Sequence, residues 1–177
     1  MCAEMHNDKH TVKMILEYAQ LLSTAHRFLD GAQTVGKSST GRKKTTYVLP
    51  DERDMIMYSA THINHPSAVW ARKCSENYSW LHDMLTALCK EYTYRYGKVH
   101  KVEREGLLES LRDLPHSINI DLHFTEPTTA MPDEYKVPGD AVTSYRKYYV
   151  GDKQRMAKWK NRYKPCLLYT SPSPRDS

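Results

Sequence analysis

Between positions 8 and 29 the apolar residues Val12, Ile15, Leu16, Ala19, Leu22, Ala25 and Leu29 recur at helical spacing, and Gly31 lies just past the last of them. A helix built this way carries a continuous apolar stripe that must be covered by another element. A second stretch of the same kind begins at Asn64-His65-Pro66, where proline suits a first helical turn, and runs to about Tyr96. Trp80, Met84, Leu85 and Leu88 form its stripe, a break is expected near Ser75 to Asn77, and Gly97 ends it. Pro50-Asp51 opens a short helix through about Thr61, and Val102 to Leu114 reads as one more helix. Val142–Val150 and Asp152–Arg162 also read as helices. Residues 31–46 are a loop by composition, and 116–138 are a proline- and threonine-rich loop in which Ile118 to Phe124 alternates enough for a short strand. The expected fold is therefore all-α, a mostly helical single domain with at most one short strand or hairpin, packed around the helices at 8–29 and 66–96.

The chain has 177 residues, one domain's worth, and a mean hydropathy of −0.72. No apolar run approaches the roughly 18 residues that a spanning helix needs. Met1 to Asp8 is polar and lacks the apolar core of a signal peptide. Cys2, Cys74, Cys89 and Cys166 form no CxxC pair, so they read as reduced thiols of a cytoplasmic protein. Cys166 to Ser177 reads as a translated sequencing-adapter tail. The domain is accordingly placed at 1–165, with both natural termini expected to be clipped.

Charge is distributed unevenly. Arg146 to Lys164 contains eight Lys/Arg against Asp152, which nets +7, so the remainder of the +5 chain nets −2. Tyr145, Tyr148, Tyr149, Trp159 and Tyr163 are interleaved with it or just precede it. A basic stripe with aromatics suits phosphate contact and base stacking; a solvated amphipathic helix is the alternative. Lys37, Arg42, Lys43 and Lys44 form a second basic cluster, and Glu91 to Lys98, followed by His100 and Lys101, is the densest aromatic–basic string.

Gly31-Ala-Gln-Thr-Val-Gly36-Lys37-Ser38 matches the phosphate-loop pattern, but it follows a helix rather than a strand and leads into poor helix-starting sequence. It reads as a mobile basic loop. His6/His10 and His62/His65 have spacings that share a helix face, yet no HExxH or cysteine pair completes a metal site, and none is assigned. Glu17 sits mid-helix among apolar neighbours, seven positions after His10 and on the same face. Left unpaired there, its carboxyl would have a raised pKa suited to acid–base work; a salt bridge with Lys13 or with an arginine elsewhere is the structural alternative.

Asp8-Lys9-His10 leading to Glu17-Tyr-Ala-Gln20, Asn64-His65-Pro66 to Trp70, Glu91 to Lys98, and Met131-Pro-Asp-Glu-Tyr135 together resemble an uncharacterised group of bacteriophage and marine bacterial proteins. More distantly, the layout is similar to the pyrimidine-dimer DNA glycosylase/AP lyase family of endonuclease V type. His10 and Glu17, the Asn64-His65-Pro66 helix start and the segment Tyr145 to Trp159 carry that likeness. Leu16 and Gln20 stand in the stretch where that family places arginines around its glutamate. The resemblance implies an N-terminal amine, that of Cys2 once Met1 is removed, attacking the sugar of a damaged pyrimidine nucleotide. Glu17, with His10 beside it, would assist the Schiff-base and elimination chemistry without a cofactor. Basic residues would hold kinked, damaged double-stranded DNA. The residues expected at that DNA face are His65, Arg95, Lys98, Lys101, Arg146, Lys153, Lys158, Trp159 and Arg162. Two other readings stand beside it: a non-catalytic helical DNA-binding phage protein, and a nucleotide-modifying or nucleotide-hydrolysing enzyme.

Overall fold

The computed structural model describes residues 8–127. Helices hold 54% of them and two strands 10%, so the mostly helical class is what forms. The predicted elements at 142–150 and 152–162, and the tail from 166, lie outside the described residues.

Helix α1 (Asp8–Asp30) buries Ile15, Ala19, Leu22 and Ala25, the heart of the expected stripe. That face packs on α3 (Pro66–Lys73) and α4 (Ser75–Tyr96). From α4 come Tyr78, Leu81, Leu85, Leu88 and Cys89, and from α3 Trp70 and Ala71. The expected break falls at Cys74, whose extended backbone (φ −155°, ψ 163°) separates the two helices. Asn77 bridges the break by donating to the Trp70 carbonyl (3.0 Å), and the Ser75 N–H goes to the Asn119 carbonyl (2.8 Å). His65 caps α3, its Nδ1 accepting from the Ser67 N–H at 3.1 Å, ahead of Pro66. Gly97 ends α4 in the left-handed region (φ 66°), which glycine adopts without steric cost. Cys74 and Cys89 are buried free thiols.

Four local expectations are corrected. Residues 31–46 are not an irregular loop: β1 (Ala32–Lys37) and β2 (Lys43–Val48) pair as an antiparallel hairpin, Ala32 opposite Val48 and Lys37 opposite Lys43. The helix after Pro50 is the single turn α2 (Arg53–Ile56). The helix expected over 102–114 is two turns, α5 (Lys101–Arg104) and α6 (Leu107–Ser110), broken at Gly106, whose φ of +84° is incompatible with a continuing helix. Ile118 to Phe124 is not a strand. Side chains occupy its backbone polar groups instead: Phe124 N–H donates to Glu76 Oε2 (2.6 Å) and Asp121 N–H to Asn119 Oδ1 (2.8 Å). Next to it, Thr125 is held by Asn77 and Trp70.

A buried polar network lies under the α1 C-terminus. Tyr78 Oη donates to the Leu111 carbonyl (2.6 Å), so it accepts from His26 Nε2 (2.7 Å). His26 Nδ1 is then the acceptor for Arg53 Nη1 at 3.0 Å. The ring is thereby fixed as the neutral Nε2–H tautomer. Burial, then the Arg53 charge, push its pKa down to about 4. Unfolded, the imidazole takes up its proton near pH 6.5, so stability is complete above that value and falls as pH drops towards about 4. Asp30 is partly desolvated, which alone would raise its pKa. The donors Arg53, His116 N–H and Ser117 N–H outweigh that and hold it at about 2, below the His26 window. Chemical denaturation should show a stability loss of about 2–3 kcal/mol between pH 7 and pH 4.5, most of it removed in His26→Gln. An equal pH slope in the variant would assign the loss to other groups.

Candidate nucleic-acid interface

The hairpin is rooted in the body and exposed beyond it. At the root, the Arg27 guanidinium donates to the Tyr47 carbonyl (2.8 Å), and the Tyr47 ring lies against Phe28 (5.7 Å between centroids). A Cβ on Gly31 would stand 2.4 Å from the Arg27 carbonyl oxygen, so only glycine lets α1 turn directly into β1. Every residue of β1 is exposed, as are Lys43, Lys44 and Thr45 of β2. Between the strands, Ser38 N–H donates to the Arg42 carbonyl and Gly41 N–H to the Ser38 carbonyl, both at 2.8 Å, with Gly41 at φ +77°. Lys37, Arg42, Lys43 and Lys44 sit at this exposed tip, and residues 31–48 contain no acid. The pairing sets Lys37 opposite Lys43, a like-charge arrangement that disfavours the hairpin.

This geometry also settles the phosphate-loop pattern. Gly31 to Ser38 is strand and turn, with no helix following, so its backbone N–H groups serve the ladder and do not converge on a phosphate.

Glu17 lies on α1 with its side chain 42% exposed and pairs with Lys13 at 3.3 Å, the structural alternative weighed from the sequence. A hollow of about 400 Å³ lined by Tyr78, His82, Asp83, Leu108, Glu109 and Arg112 does not include Glu17. His10 lies on the same helix, two turns earlier.

Arg95 is corrected. Its side chain is fully buried, with Nε donating to Glu91 Oε1 at 2.8 Å and Nη1 contacting Asp8 Oδ1 at 3.3 Å and Thr11 Oγ1 at 3.2 Å. A guanidinium spent this way fastens the end of α4 to the start of α1 and cannot reach a DNA phosphate. Within the same string, Tyr92 packs on Tyr96 and His100 (4.8 and 4.9 Å between centroids), while Tyr94 stays exposed. Lys98 and Lys101 are exposed. His65 is exposed too, although one of its ring nitrogens is committed to capping α3. Cys2, Arg146, Lys153, Lys158, Trp159 and Arg162 lie outside the described residues. Among the described residues, no three His, Cys, Asp or Glu side chains are grouped as a metal would require, and no helix is long and apolar enough to cross a membrane.

Comparison with family models, with curated proteins and with solved structures found no match to this chain.

The hairpin was the element the sequence reading missed. Its signals were the β-branched and aromatic run Thr45-Thr46-Tyr47-Val48 and the matching Thr34-Val35, separated by Ser-Ser-Thr-Gly turn residues. For Arg95, replacement by Ala removes a charged partner of the buried Glu91 carboxylate together with the ties to Asp8 and Thr11. The variant should lose about 3–5 kcal/mol of unfolding free energy, and any affinity of the parent for DNA should be unchanged in its folded fraction. A stable variant with weakened binding would return Arg95 to the interface.

Proposed function

We propose that this chain is a double-stranded-DNA-binding protein. The observation that supports this reading is the segregation of charge. The helical body spends its buried and half-buried cations on its own acids, Arg27 on Asp54, Arg53 on Asp30 and Arg95 on Glu91. The four cations of the hairpin have no ion-pair partner among the described residues, and the tract 146–164 adds eight more against one acid. Unpaired, exposed cations at the hairpin, together with the second concentration of cations that the sequence carries at 146–164, suit a polyanion, whose phosphates release counterions on binding. Fluorescence anisotropy with a short labelled duplex should show affinity falling steeply with salt. Lys158→Ala with Arg162→Ala should weaken binding to all sequences alike and lower the salt slope by about 2. Binding that does not respond to salt, or none at all, would end this reading.

A second reading, a glycosylase/AP lyase acting through an N-terminal amine and Glu17, retains one supporting observation: Glu17 and His10 share α1 with Glu17 open to solvent. Under it, borohydride should trap a covalent adduct on duplexes carrying an abasic site or a thymine dimer. Glu17→Gln should abolish strand cleavage and spare DNA binding. No adduct would leave binding without chemistry. A cleavage activity stopped by a chelator would instead favour the nucleotide-hydrolysing alternative, since amine chemistry needs no metal.

A further inference from the structure

We propose that the β1–β2 ribbon enters the major groove of double-stranded DNA. This rests on the DNA-binding reading above and says which element reads the duplex and how.

The argument begins with shape. Two strands lie about 5 Å apart, and six paired residues span about 20 Å. Such a ribbon fits a B-form major groove about 12 Å wide; a minor groove of about 6 Å is too narrow for it. The deep, narrow major groove of A-form RNA excludes it as well.

The two faces of the ribbon differ. Paired residues project to the same side, so Gln33/Tyr47, Val35/Thr45 and Lys37/Lys43 share one face. At its root that face is turned to the body, where Tyr47 meets Phe28. Ala32/Val48, Thr34/Thr46 and Gly36/Lys44 form the other face. It is shallow, and a Cβ added at Gly36 would meet nothing within 4 Å. Thr34 and Thr46 join their hydroxyls across it at 2.6 Å. Threonine presents to base edges both a hydroxyl of either polarity and a methyl for thymine, and lysine can donate to guanine O6 and N7. Thr34, Thr46 and Lys44 therefore face the bases, and Lys37, Arg42 and Lys43 reach the flanking phosphates.

Electrostatics supplies the need for a partner. Lys37 opposite Lys43, beside Arg42 and Lys44, is a concentration of like charge that the hairpin must tolerate alone. Phosphates on both walls of the groove relieve it. The clamped root, through Arg27 and Gly31, lets a projecting arm keep a fixed direction.

The test uses the full chain and a variant with Lys37, Arg42, Lys43 and Lys44 all changed to Gln. At about 0.1 M salt the variant should bind a short duplex at least about tenfold more weakly, with a salt slope lower by about 3. If the variant matches the parent in affinity and slope, the ribbon inference fails and DNA binding stands on the 146–164 tract. If the parent binds no duplex, the DNA-binding reading fails with it. A duplex whose major groove is filled by glucosylated hydroxymethylcytosine should bind about tenfold more weakly than the plain duplex. Equal affinity for it, or for double-stranded RNA of the same sequence, overturns groove entry. Loss of binding to anionic phospholipid vesicles in the variant, with duplex binding intact, would make the ribbon a membrane-surface arm and overturn the proposal. Lys43→Thr separates contact from folding: removing the facing charge should keep or raise the melting temperature while weakening duplex affinity about two- to fivefold. Unchanged affinity in that variant counts against a phosphate contact at Lys43.

Discussion

The buried guanidinium of Arg27 is the contact on which the arrangement of the chain around α1 depends. It is 6% exposed and uses its N–H groups on the Tyr58, Tyr47, Asp54 and Met57 carbonyls and on the Asp54 carboxylate, at 2.6–2.9 Å. Arginine is suited to this by its planar fork of five donors; lysine at the same place would leave carbonyls unmet. One side chain thus fixes the last turn of α1 to β2 and to the segment 54–58. Breaking such a buried charged cluster from one side typically costs about 3–5 kcal/mol, because the groups left behind are desolvated and unpaired.

A second arginine continues the same logic. Arg53 grips Asp51 through two nitrogens, reaches Asp30 with a third contact at 2.7 Å, and donates to His26. Asp30 in turn accepts from the backbone of residues 116 and 117, and His26 leads through Tyr78 to the Leu111 carbonyl. Polar contacts therefore gather the irregular parts of the chain, while the apolar stripes of α1, α3 and α4 supply the core. The body consumes its own buried cations, and the cations left exposed at the hairpin tip stand apart from it. That separation is the observation behind the proposal of a polyanionic partner.

Much of the helical frame could be read directly. The stripe of α1, the proline start of α3, the break near Ser75 and the stop at Gly97 are local signals, each acting within a few residues. The hairpin was harder because Gly, Ser, Thr and Lys are common to loops and to exposed ribbons. Without a buried face, the strands have no hydrophobic alternation to reveal them. Arg95 misled for a related reason. A cation among tyrosines near a helix end looks like a surface contact, and only the approach of Asp8 and Thr11 from α1, far away in sequence, draws it inside. Gly106 broke a helix that periodicity alone would have carried to Leu114.

By itself the sequence determined that this would be a mostly helical chain with two long amphipathic helices and its excess charge in discrete basic clusters. Periodicity and composition are properties of neighbouring residues and need no fold to exist. Tertiary structure decided which charges are used up inside and which face outwards. Arg95 is buried against α1, and Arg27 clamps the hairpin root, leaving Lys37, Arg42, Lys43 and Lys44 in solvent. A charge costs little in water and several kcal/mol in the core unless it is paired. Its role follows from the partners that folding brings to it.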